Sequence, residues 1–170
     1  MTTQDFLIKW GVYGLALLPV WFCQAFVLNR LVFLPLTPML LPLAAVCVAV
    51  LEGAVAGAGF GLAVGVLCDA VYLGTNGAMT VGICVAGMAA GALAQYLLRQ
   101  NLLGCLLCSL LALAAIDGVR ILTRLFWGDW ELGAMLSLAG REILLSLIFV
   151  FPVYALFLWV YRRVPKKTVL

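Results

Sequence analysis

Histidine is absent from this chain of 170 residues, and charged residues make up only 10% of it. Without histidine there is no imidazole proton shuttle, no Ser–His or Cys–His nucleophile, and none of the commonest metal ligand. A soluble domain carries roughly 25% charged residues because its surface faces water. Here 66% of the residues are hydrophobic and the mean hydropathy is +1.21. No polar stretch exceeds about ten residues, so a second, water-exposed domain has nothing to be made from. A phosphate-binding loop ending in Lys-Ser/Thr is missing as well, since the glycines lie in apolar, helical surroundings. What remains is an all-α integral membrane protein, residues 1–170 forming a single transmembrane domain, with no enzymatic constellation, no cofactor and no metal expected. The net charge of +3 does not point to nucleic acid, because the positive residues sit where membrane topology puts them.

A span needs roughly 20 mostly apolar residues. Phe6–Leu28 meets that, is too long for a signal-peptide core, and lacks a small-residue cleavage site. The next stretch carries Pro35, Pro38 and Pro42, so its first part is expected to be extended or re-entrant, followed by a shorter helix from about Pro42 to Glu52. The third span runs from Gly53 to about Leu73, and Asn76-Gly77 marks a turn. A fourth covers about Ala78–Leu98, a fifth Leu102 to about Trp127, and a sixth about Gly133–Tyr161 with a kink at Pro152. The result is a bundle of about six transmembrane helices. An even number puts both ends on one side, where Lys9, Arg99, Arg162, Arg163, Lys166 and Lys167 collect. Arg30, Asp129 and Glu131 fall on the other, so both termini are expected in the cytoplasm.

Gly53, Gly57, Gly61, Gly65 and Asp69 recur every fourth residue, which in a helix makes a stripe without side chains that ends in a carboxylate. Glycine costs a helix roughly 1 kcal/mol against alanine, so such a row points to close approach of another helix. The row drifts by about 40° per step, and the partner should cross at an angle. The fourth span offers Gly87 and Gly91, with Ala86, Ala90 and Ala94, as a partner surface.

Depths counted at about 1.5 Å per residue place Asp69, Asp117, Arg120, Arg124, Arg141 and Glu142 in the outer half of the membrane. The signs balance, and the reading is an inward-facing, ion-paired layer that holds the bundle together or lines a polar cavity. No charges are expected in the inner half, so no relay crosses the membrane. The six cysteines all fall in apolar spans. Cys105 and Cys108 form a CxxC, but buried thiols acting as small hydrophobes explain it better than redox or metal chemistry.

The run GFGLAVGVLCDAVYLGTNGAMTVGICVAGMAAGALAQYLLRQN, with Gly61, Gly65, Asp69, Gly77, Gly87, Gly91 and Arg99, resembles the core of the rod shape-determining MreD family. The late stretch REILLSLIFVFPVYALFLWVYRR is similar too, and the likeness covers about Pro42 to Arg163. Asp117, Arg120 and the CxxC map onto no family motif. The resemblance implies a non-catalytic scaffold in the bacterial inner membrane, part of the cell-elongation and peptidoglycan machinery. Its implied partners are an MreC-like membrane protein and, through it, MreB filaments, RodA and a class B penicillin-binding protein. A partner span would dock on the small-residue surface of the third and fourth helices. The implied fold is similar to the substrate-binding S component of energy-coupling-factor vitamin transporters, and that function is the alternative reading. It would require aromatic and hydrogen-bonding groups around the polar layer and an AxxxA face on the first span, where only Gly11, Gly14 and Ala16 are found.

Overall fold

The computed structural model describes residues 3–27, 39–71, 77–96, 102–126 and 132–163, and all of these but Met39, Gly53 and Gly77 are helical. Helix α1 (Thr3–Phe22) runs into a π-helical turn (Cys23–Val27). There follow α2 (Leu40–Glu52), α3 (Ala54–Val71), α4 (Ala78–Tyr96), α5 (Leu102–Phe126) and α6 (Leu132–Arg163). The expected bounds agree to within a few residues. The re-entrant segment around Pro35 and Pro38, Asn76, Arg99 and the basic tail lie outside the described residues.

Local chemistry accounts for the breaks. Pro19 lies inside α1, and the wider π turn begins four residues later, as expected where a missing N–H and a crowded ring disturb the ladder. Between α2 and α3 the chain reverses on one residue. Gly53 has φ +97°, its N–H donates to Ala49 O at 2.8 Å, and its carbonyl accepts from Gly57 N at 2.8 Å. A side chain at that φ is strained, which is why glycine stands there.

At the centre lies α2. All its residues from Leu40 to Leu51 are buried, and it touches every other helix. A helix apolar all round belongs in such a position. At about 1.5 Å per residue it spans about 20 Å, less than the roughly 30 Å hydrocarbon core. Its N-terminus therefore ends inside the protein, and its free N–H groups need partners. Two side chains supply them: Ser146 Oγ of α6 accepts from Met39 N at 3.2 Å, and Gln24 Oε1 of the π turn accepts from Leu41 N at 2.8 Å.

Among the described residues, three segments are long and apolar enough to cross a membrane: Met79–Tyr96, Leu102–Leu122 and Leu136–Arg163. The apolar α2 and α3 are shorter. The expected six spans are thus met by length and composition for three of them. Successive helices alternate in direction. Tyr13 of α1 stacks on Phe157 of α6 at 6.2 Å and bonds Glu52 at the end of α2, so the start of α1 and the end of α6 share one end of the bundle, here the near end.

Candidate functional site

The glycine row is an internal seam. A Cβ on Gly57 would lie 2.7 Å from Gly87 O, one on Gly61 2.8 Å from Ile83 O, and one on Gly65 2.5 Å from Thr80 Cα. From the other side, a Cβ on Gly87 would lie 2.5 Å from Gly57 O and one on Gly91 2.6 Å from Ala54 Cα. Gly53 abuts the Gln95 side chain. Helix α4 thus follows α3 along the whole row, and α2 closes on Gly57 through Ala49. The expected pairing of the third span's row with the fourth span's small residues is what the structure has, and it corrects the further expectation that a partner span docks on that same surface. The two helices use that surface on each other, because an intramolecular partner on the next helix reaches it first.

Asp69, at the end of the row, turns to α4. Its Oδ2 accepts from Thr80 N at 3.0 Å and from the Thr80 hydroxyl. Thr80 lies in the first turn, where N–H groups have no intrahelical acceptor and a negative charge is favoured. The acid is a cap donated by the neighbouring helix.

Asp117, Arg120 and Glu142 gather at the far end. Asp117 is buried and stands 3.7 Å from Arg120, with side-chain exposures of 8% and 36%. Glu142 of α6 is half-buried and within electrostatic range of both. Arg141 does not join them: it is exposed. Adjacent residues on a helix point about 100° apart, so Glu142 facing inward turns Arg141 out. The Arg124 side chain lies outside the described residues.

The near end holds a second charged cluster, where none was expected. Lys9 Nζ meets Glu52 Oε2 at 2.5 Å, with side-chain exposures of 10% and 12%, and the Tyr13 hydroxyl donates to Glu52 Oε1 at 2.8 Å. Trp10, Phe60 and Phe157 surround Tyr13 with ring centroids 6.0–6.2 Å away. Both carboxylate oxygens have partners, as a buried ion requires. The signal was present in the sequence: Lys9 near the start of the first helix and Glu52 at the end of the second lie at one level in an alternating bundle.

An opening lies between α4 and α5. With Gly87 and Gly91 turned to α3, the flank of α4 toward α5 carries Gly82, Ala86 and Ala89, and α5 answers with Ala112 and Ala115. Between these small residues the lining also carries Met79, Leu93 and Ile116. The helices meet where the Cys108 thiol lies 3.7 Å from Ala90 O, and beside that contact a groove of about 490 Å³ stays open. Exposed Val81, Val85, Leu111 and Val119 border it, and Arg120 at its far end is the only charged residue in the lining among the described residues. Among the described residues no aromatic side chain lines it.

Among the described residues no group of three or more Cys, Asp or Glu side chains could hold a metal. The chain matches no family model, no curated protein and no solved structure.

Proposed function

We propose that this protein is a non-catalytic scaffold of the bacterial inner membrane that docks the transmembrane segment of a partner in the groove between α4 and α5. The observation that carries the reading is the groove itself. Its lining combines the small residues Gly82, Ala86, Ala89, Ala112 and Ala115 with exposed valine and leucine. In lipid there is no hydrophobic drive for helix association, so small residues that let backbones approach are what a docking surface needs. An apolar helix laid along Gly82, Ala86 and Ala89 would meet Arg120 at one end, where an acceptor on the partner fixes register.

The MreD-like run from Gly61 to Arg99 gives this partner a class: an MreC-like single-span protein of the elongation machinery, and through it MreB filaments, RodA and a class B penicillin-binding protein. Both termini face the cytoplasm in this reading. A vitamin-binding S component fits less well, because among the described residues the groove offers a ligand no aromatic ring and one charged side chain.

Filling the groove tests the proposal. Ala86→Leu combined with Ala89→Leu should reduce partner recovery at least tenfold on co-purification from membranes, with expression unchanged. Leu144→Ala, on an exposed position of α6, should leave recovery intact. Full recovery with the filled groove refutes docking there.

A further inference from the structure

The CxxC of α5 does not close on itself. Cys105 Sγ stands 3.4 Å from Cys47 Sγ of α2, whereas Cys108, one turn further, turns its thiol toward Ala90 O of α4 at 3.7 Å. All three are buried and reduced. The pair that faces is therefore one that spacing along the sequence could not show, joining residues 58 positions apart.

The geometry points to Cys47 and Cys105 as a disulfide-forming site that staples the central helix α2 to α5. A disulfide has a sulfur–sulfur distance of about 2.0 Å, so the two atoms must close by about 1.4 Å. That is within reach of side-chain rotation, since α2 and α5 already pack together. In the step, two S–H bonds break and one S–S bond forms. Two electrons and two protons pass to an acceptor of the quinone class, which leaves as the quinol.

Solubility selects that class. Neither thiol reaches the surface, so polar oxidants and glutathione are held away. A lipid-dissolved quinone can enter the apolar groove lined by Cys108, one turn along α5 from Cys105. The pair does not line the groove, and the quinone meets it when α5 moves. The first consequence is mechanical. Residue Cys105 lies in the opening turns of α5, one wall of the groove, and the link would anchor that wall to the helix every other element packs against.

The test uses the full chain in native membranes. A short-chain benzoquinone is added, free thiols are alkylated, and the protein is digested without reduction and mapped by mass spectrometry. The expected result is a Cys47–Cys105 linked peptide with two of the six thiols lost. Dithiothreitol applied to the detergent-unfolded protein should restore both, and the oxidised form should unfold at a higher temperature than the reduced one. Cys108→Ser should keep the link, and Cys47→Ser should abolish it without new thiol loss. Six thiols still alkylated, a Cys105–Cys108 link, or quinone adducts in place of a crosslink would each overturn the assignment. The wild-type map decides the matter even if a variant fails to fold.

Discussion

Removing an ammonium and a carboxylate from water costs several kcal/mol per ion even after the surroundings relax, and Lys9 and Glu52 offset that cost only together. Breaking the pair leaves one charge buried and uncompensated. Lys9→Met or Glu52→Gln alone should therefore lower stability by about 3–5 kcal/mol, while the double variant should lose much less than the sum. Thermal unfolding of the four proteins in one detergent checks this, and additive losses would mean that the two side chains do not interact. At this scale the sequence was half legible. Charge and position placed Asp117 three residues from Arg120 on one face, and they do approach each other. The sequence offers Lys9 as a topology signal and Glu52 only as the end of the second helix. Pairing them needed the direction of each helix to be combined with its depth.

Between helices, what matters is which small residues face a backbone. The period-four row announced a close approach, and Gly57, Gly61 and Gly65 make it. Gly59, on the same helix, has nothing within 4 Å of where its Cβ would be. The two classes predict opposite outcomes. Gly57→Ala pushes a methyl to 2.5 Å from Ala49 Cβ and should cost about 1–3 kcal/mol, the usual range for overpacking. Gly59→Ala should be neutral or stabilise by up to about 1 kcal/mol through helix propensity. Unfolding midpoints in detergent that shift alike for both would contradict the seam. The sequence pointed both to the next helix, through Gly87 and Gly91, and to a partner protein on the same stripe. It could not show that the first uses the stripe up, because periodicity marks a face without measuring its contacts. It also missed Gln24 and Ser146. Their value lies in satisfying the start of α2, and that start falls in the interior only because α2 is short.

For the molecule as a whole, the element order, the position of the breaks and the alternation of direction were readable from apolar length, proline, glycine and the Lys/Arg distribution. The groove was not, since it is what remains after α4 has committed Gly87 and Gly91 to α3. The alternation has a consequence that can be measured. The start of α1 and the end of α6 lie at the end of the bundle where Lys9, Glu52 and Tyr13 meet. Arg162 and Arg163 close α6 at that end, Arg163 lying 4.4 Å over the Trp159 ring, and in the proposed reading the positive-inside rule puts that end in the cytoplasm. Lys9 adds little to the bias once Glu52 neutralises it, so the orientation rests on the C-terminal arginines and lysines. A reporter active only in the periplasm should stay dark when fused after Leu170 and become active when inserted at Asp129, between α5 and α6. Replacing Arg162, Arg163, Lys166 and Lys167 by glutamine should raise the fraction of chains with an active C-terminal fusion at least severalfold, whereas Lys9→Gln should not. Activity of the unaltered Leu170 fusion would reverse the orientation, and activity at neither position would mean that α6 does not cross the membrane.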